Sequence, residues 1–320
     1  MGVGADAACA ATVSKAKTVP VILVFMFDRS GSMDDSIGPG QTKWSALVPG
    51  LDAFFADPKS AGVSASLQFF EQASECDVPS YAAPLVPTTP LPNSTVFASA
   101  IAAVSPQGET PTQPALEGAL QYAAQQLALN PNGKSAVVLV TDGEPNGCAS
   151  TVTNVAATAQ AVSATIPTYV IGIGKATDLV RLNTIAAAGA TGTAFFVSSD
   201  AGDGGCDAGG CSAQDMESRF ESVLAVIRGA TASCNLLLPS PPPGQSLNLS
   251  EINVSFAPSS GQTTTLVYNQ NCGGGGVGWF YDNLQSPTKI EICPSSCQMV
   301  QSDVLGGSLS IAVGCQTVTQ

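Results

Sequence analysis

Val21-Ile22-Leu23-Val24-Phe25-Met26-Phe27-Asp28-Arg29-Ser30-Gly31-Ser32 is the stretch on which the fold is decided. Seven apolar residues run up to an aspartate, and two serines follow it at alternate positions. The run is too short to cross a bilayer and begins after Pro20, so it reads as a strand at about 19–27, buried on both faces. Asp28, Ser30 and Ser32 then fall at the carboxyl end of that strand, where open α/β sheets hold ligands. A carboxylate and two hydroxyls offer only hard oxygens, a donor set suited to Mg, Mn or Ca. The plainer reading is a strand, a polar turn and a helix cap.

Outward from this strand the pattern alternates. Trp44, Leu47, Val48, Leu51, Phe54 and Phe55 recur with helical period, which predicts a helix at about 42–56 with a kink at Pro49-Gly50. Val63, Ala65, Leu67 and Phe69 alternate with Ser64, Ser66 and Gln68, predicting a strand with one drier face at the sheet edge. A proline-rich loop follows. A short helix at about 94–104 leads to Gly108-Glu109-Thr110-Pro111-Thr112. Leu116, Leu120, Ala124 and Leu127 mark the next helix, with Pro114 in its first turn. Residues 136–140 form a second buried strand that also ends in an acid, Thr141-Asp142-Gly143-Glu144. Helices at about 150–165 and 178–188 alternate with strands at 168–173 and 194–197. Met216, Phe220, Val223, Leu224 and Ile227 define a last amphipathic helix. This order predicts an α/β fold: a doubly wound, mostly parallel sheet covered on both sides.

At Cys234 the pattern changes. A proline-rich joint at 239–244 is followed by short β-type runs at about 251–256, 263–268, 277–281, 289–293 and 308–313, without helical periodicity. They predict a small, disulfide-rich, all-β module of sandwich type. The expected domains are an N-terminal extension at 1–16, the α/β domain at 17–232 and the β module at 233–320.

The net charge of -13 argues against nucleic acid, which requires a basic face. Ten cysteines and no histidine fit paired disulfides in an oxidising compartment, and they exclude Ser-His-Asp, Cys-His and histidine-ligated chemistry. Cys272, Cys293, Cys297 and Cys315 are expected to staple the β module, in any of three pairings. Cys76 and Cys148 are expected to pair near the crevice, Cys9 and Cys234 to clasp the α/β domain, and Cys206–Cys211 to clip an acidic loop carrying Asp200, Asp203 and Asp207. No signal peptide opens the chain, so the expectation is a mature terminus whose targeting segment is missing, and a secreted or extracytoplasmic home in the periplasm or at the cell surface. No other apolar run is long enough for a transmembrane segment. Two motifs are set aside. Asn130 to Ser135 ends like a phosphate loop, but Ala128 replaces its first glycine and it runs from helix into strand. Gly172-Ile173-Gly174 lacks the third glycine of a dinucleotide motif, with Thr177 in its place.

In a doubly wound sheet the two acid-tipped strands are neighbours across the switch point. Thr110 lies in a turn before a helix at the same edge. Three segments thus deliver Asp28, Ser30, Ser32, Thr110 and Asp142 to one crevice, and two adjacent carboxylates repel unless a cation lies between them. Asp28-x-Ser30-x-Ser32, Thr110 before Pro111 and Asp142 before Gly143 resemble the metal-ion-dependent adhesion site of von Willebrand factor A domains, over about residues 17–230. The ending, with Gly-Trp-Phe-Tyr-Asp at 278–282 and Cys293-Pro294-x-x-Cys297, is similar to secreted myxobacterial-type proteins carrying such a domain. The resemblance implies that Ser30 and Ser32 coordinate a divalent cation directly, Mg before Mn or Ca. It implies that Thr110, Asp28 and Asp142 do so directly or through water. A position then stays open for a Glu or Asp carboxylate of a protein ligand. Glu109 and Glu144 read as solvated rim charges. The implied function is cation-dependent adhesion or ligand binding, without catalysis. The alternative is a structural component of an envelope or extracellular assembly, in which the metal only stabilises the fold. Metal-assisted hydrolysis with Glu144 as base lacks a nucleophile and a histidine.

Overall fold

Stiff, apolar side chains fill 21–27, and every residue of the strand they form is buried. The computed structural model describes residues 12–17, 19–70, 76–198, 212–231, 234–239, 246–272, 276–303 and 307–319. The chain divides into two compact units: Pro20–Ile227, and a second built from both ends, Met1–Val19 with Arg228–Gln320.

After β1 (Thr12–Lys15), which belongs to the second unit, the first unit begins with β2 (Val21–Asp28) and a small hairpin, β3 (Ser36–Gly38) and β4 (Gln41–Thr42). Then come α1 (Lys43–Ala56), β5 (Val63–Phe70), α2 (Val78–Tyr81), β6 (Val86–Pro90), α3 (Ser94–Ala102) and α4 (Thr112–Leu129). β7 (Lys134–Thr141), α5 (Val152–Gln160), β8 (Thr168–Ile173), α6 (Leu182–Ala188), β9 (Phe195–Val197) and α7 (Ala213–Thr231) complete it. The sheet order is β6-β5-β2-β7-β8-β9, parallel throughout except for β6 against β5. The expected doubly wound α/β sheet is therefore present. Its order reverses at β2, so the switch point lies between β2 and β7, the strands that end in Asp28 and Thr141.

Alternation along β2 divides the core. Val21, Leu23, Phe25 and Phe27 pack with α1, α3 and α7; Ile22, Val24 and Met26 pack with α4, α5 and α6. Phe25 sits against Phe55 at 5.2 Å between ring centroids, and Phe55 stacks on Phe97 at 3.8 Å. Thr42 caps α1 by accepting from the Ser45 N–H, while Ser45 Oγ accepts from the Thr42 N–H. α1 runs through Pro49, and the structure supplies a reason for the glycine beside it. A Cβ on Gly50 would meet the Glu217 carbonyl oxygen at 3.2 Å and the Phe220 ring at 3.4 Å, so Gly50 is where α7 crosses closely.

Several expectations are corrected. β5 is an inner strand, because the proline-rich loop supplies the edge strand β6; prolines suit an edge that donates few ladder bonds. α5 and α6 are shorter than their apolar patterns suggested. Asp200, Asp203, Asp207 and the Cys206–Cys211 clip lie outside the described residues.

The second unit contains β10 (Asn235–Leu237), β11 (Ile252–Ala257), β12 (Thr264–Leu266), β13 (Trp279–Tyr281), β14 (Lys289–Ile292), α8 (Pro294–Ser302) and β15 (Ser308–Val313). Its sheets are β1-β15-β11-β12 and β10-β14-β13, antiparallel in both. Thr12–Lys15, expected in an extension, pair with β15 instead. The helix α8 was not legible as such: Pro294 starts it after Cys293, and its face is mostly polar. Trp279 is fully buried and donates through Nε1 to the Leu266 carbonyl at 3.1 Å. Two of its disulfides are Cys234–Cys297 and Cys272–Cys293, so Cys297 pairs outside the set of four within which all three expected pairings placed it. The expected Cys9–Cys234 clasp is thereby ruled out, since Cys234 is used; Cys315 is also disulfide-bonded, and Cys9 lies outside the described residues. Among the described residues no helix is long and apolar enough to cross a membrane.

Candidate metal centre

β2 brings Asp28 to the carboxyl edge beside Phe70 of β5, where its side chain is 0% exposed. The Ser30 N–H donates to Asp28 Oδ1 at 2.7 Å, and Thr141 Oγ1, from the last residue of β7, donates to Oδ2 at 2.7 Å. Burial above all, and then the charge of Asp142, push the Asp28 carboxyl up to about 7, against the hydrogen bonds from Ser30 and Thr141. No Lys or Arg among the described residues pairs with it.

Ser30 and Ser32 lie on alternate positions of the turn after β2, with their hydroxyl oxygens 3.1 Å apart. Ser32 Oγ donates to Asp142 Oδ1 at 2.8 Å. Asp28, Ser30, Ser32 and Asp142 therefore form one connected polar cluster across the switch point. Thr110 arrives from the turn before α4 and is buried. Its N–H donates to Asn146 Oδ1 at 2.9 Å, and the Asn146 N–H returns to the Thr110 carbonyl at 3.0 Å. The Gly31 N–H donates to the Gly108 carbonyl at 3.0 Å. Backbone thus ties the Thr110 turn to both acid-bearing loops, and all five predicted residues reach one edge.

The expected Cys76–Cys148 bridge is present. It sits on a turn in which Gly147, Cys148 and Ala149 all take left-handed backbone, φ 67, 50 and 56. Such a conformation costs an L-residue about 1 kcal/mol, so the bridge and the Ser150 N–H bond to Gly147 hold the turn against its own preference. Glu144 meets Arg181 Nη1 at 2.7 Å on the exposed rim, which is consistent with a solvated role.

One residue escaped the sequence reading. Lys43, the first residue of α1, donates through Nζ to Asp142 Oδ2 at 2.8 Å and to Asp35 Oδ2 at 3.1 Å. Burial works to lower its ammonium, yet the hydrogen bond and charge of Asp142, joined by Asp35, outweigh that and raise it. A signal existed: a lysine in the first turn of a helix opposes the helix dipole, and in a chain with 11 Lys and Arg it needed a reason. Thr141 and Asn146 were missed for another cause, because nothing in their spacing distinguishes a supporting hydrogen bond from a turn residue.

Among the described residues no three His, Cys, Asp or Glu side chains converge. The donors are hydroxyls and two carboxylates, one of which, Asp28, is buried and has no cationic partner among the described residues. That chemistry fits a hard divalent cation and not a thiolate- or imidazole-seeking metal.

No curated protein sequence matches the chain. Among solved structures, the manganese-loaded TRAP protein of Plasmodium vivax is similar at 14% identity and a TM-score of 0.45, over 80% of this chain and 96% of that one. Proximal thread matrix protein 1 from the mussel byssus is similar at 16% identity and a TM-score of 0.43, over 70% of this chain; the match spans 49% of the byssus protein. The vWF domain of the type V pili tip protein Mfa5 from Porphyromonas gingivalis gives 15% and 0.43, over 67% and 97%. The family model for the von Willebrand factor type A domain matches residues 23–203, more than half of the chain. The chain therefore belongs to the von Willebrand factor type A domain family, whose members commonly serve in adhesion and ligand binding and are typically not enzymes.

Proposed function

We propose that the α/β unit captures a protein ligand through a divalent cation held by Asp28, Ser30, Ser32, Thr110 and Asp142, with a Glu or Asp carboxylate of the ligand as the group captured. The observation that carries this reading is the connected cluster of Asp28, Ser30, Ser32 and Asp142 at the switch point, with the Asp28 carboxylate buried beside a second carboxylate. A bound cation supplies a Lewis-acidic centre for an incoming carboxylate. The two serines contribute neutral oxygens, so charge is left over for the ligand. Thr141 and the Ser30 N–H fix the Asp28 carboxylate, and Asn146 fixes the Thr110 turn. Mg is the favoured cation, with Mn or Ca as alternatives. The paired disulfides support a secreted, periplasmic or surface setting.

Calorimetric titration of Mg or Mn into chelator-treated protein, beside the Asp142→Ala variant, tests the cation. Heat of binding is expected for the first protein and its loss for the second; equal heats sink the proposal. A pull-down from the envelope fraction, with Mg and then with chelator, tests the ligand. Retention of the same partner in chelator would instead assign the cation a purely stabilising part in an assembly.

A further inference from the structure

Lys43 is placed where the cation's charge is needed. Its ammonium lies 2.8 Å from Asp142 Oδ2, while Ser32 occupies Oδ1 of the same carboxylate. The side chain of Asp142 is 0% exposed and that of Lys43 is 19% exposed, so the pair is poorly screened by water. Asp35, at 3.1 Å from the same ammonium, is 63% exposed and faces solvent. Lys43 therefore has two seats: one inside the cluster and one outside it. It can leave the first without becoming an unpaired charge. Its backbone N–H stays anchored on the Asp35 carbonyl at 3.1 Å, and the Thr42–Ser45 capping box holds the helix start.

We infer that Lys43 is a specificity-determining residue of this site, an intramolecular cation that competes with the divalent ion for Asp142 and so sets the concentration at which the ion is held. The inference rests on the proposed cation site. Two positive groups claim one carboxylate. Lys43 places its positive charge directly on Asp142, the carboxylate that Ser32 also engages. Ion binding must pull Asp142 away from Lys43 or accept the ammonium as a neighbour. Either way affinity falls, and a weak, scarce or singly charged ion is excluded first. Release of Lys43 from Asp142, with the Asp35 contact kept, is to be read locally at Trp44, the next residue, whose indole packs 5.8 Å from the rings of Phe27 and Phe69.

The experiment is Mn titration of the chelator-treated protein, followed by calorimetry and by Trp44 fluorescence in a Trp279→Phe background. Three forms are compared: wild type, Lys43→Met and Lys43→Arg. The expected result is a Kd at least tenfold lower for Lys43→Met, a Kd within about threefold of wild type for Lys43→Arg, and a Trp44 response to Mn that is large only where residue 43 is charged. Wild-type binding with an unchanged or weaker Kd in a folded Lys43→Met protein overturns the inference and leaves the cation site standing. If Lys43→Met is not folded, Lys43→Arg and an Asp35→Asn variant decide: removing the outer seat should weaken Mn binding, and no change overturns the inference. Absence of Mn heat from every form overturns the cation site and the inference together.

Discussion

The two units of this protein are held together differently. Among the described residues, the α/β unit has a two-faced sheet with 28 buried apolar residues on one side and 24 on the other. Among the described residues, the β unit has one cluster of 12 and the bridges Cys234–Cys297 and Cys272–Cys293. A small core cannot offset the entropy of its chain by burial alone, so covalent staples take over. The lesson is about where the protein can tolerate a polar, self-repelling site. The large core can carry Asp28 buried beside Asp142; the small one has no such margin. The chain has 2 tryptophans, and they fall one in each unit, Trp44 in α1 and Trp279 in β13. Single-tryptophan variants, Trp44→Phe and Trp279→Phe, therefore read the units separately.

The largest expected effect is reduction. Cys234–Cys297 and Cys272–Cys293 close separations of 63 and 21 residues. On the chain-entropy account they contribute about 4 and about 3 kcal/mol. Losing both is comparable with the whole stability of an ordinary domain. In dithiothreitol without denaturant, Trp279 emission is expected to shift to the red. Trp44 emission is expected to hold, although Cys76–Cys148 opens too, because the double core remains. Simultaneous loss of both signals would break the comparison.

The next effect is confined to the α/β unit. The folded Asp28 carboxyl is raised to about 7, above its unfolded value near 3.8, chiefly by burial. Below the unfolded value both states are protonated and nothing is lost. As pH climbs from there to about 7, the unfolded chain gives up this proton while the ion-free folded state keeps it, so stability declines, by an amount on the order of 4 kcal/mol at most; above about 7 both states are ionised and the decline ends. Urea titrations of chelator-treated protein at pH 5 and pH 8, read by Trp44, should show that decline, and Asp28→Asn should flatten it. A flat wild-type profile would mean that Asp28 is better compensated than its two hydrogen bonds suggest. Addition of Mn at about a hundred times its Kd should return roughly 2.7 kcal/mol to the Trp44 transition at pH 8. The Trp279 transition should not move; a shift there would place ion binding in the wrong unit.

The fold was legible where one period ruled. Val21 to Phe27 could only be a strand buried on both faces, and the acid at its end, repeated at Asp142, located the edge that matters. Legibility failed where backbone pairing, which leaves no side-chain signature, decided the matter. β6 is a strand because β5 needed a neighbour, and nothing in Val86–Pro90 says so. β1 lies far in sequence from β15, and its four exposed residues show no apolar rhythm. The site was legible to the extent that its donors are oxygens at the ends of apolar runs. Lys43 left only the faint signal of a cation in the first turn of a helix, because its partner is 99 residues away and a lone lysine is ordinarily a surface charge.

The smallest effect concerns how Lys43 is aimed. Thr42 accepts from the Ser45 N–H at 3.2 Å and satisfies one of the free donors at the start of α1. Thr42→Ala removes that acceptor and should cost the α/β unit about 1 kcal/mol, as caps generally do. Thr42→Ser keeps the oxygen and should cost little. The informative part is the coupling. If the cap only stabilises the helix, Thr42→Ala lowers the Trp44 midpoint in urea by the same amount with and without saturating Mn. If the cap also holds Lys43 against Asp142, fraying the first turn weakens the competitor, and Mn should restore more stability to the variant than to the wild type. Equal restoration would confine Thr42 to the helix and leave the Asp142 contact to be maintained by Asp35 and by charge alone.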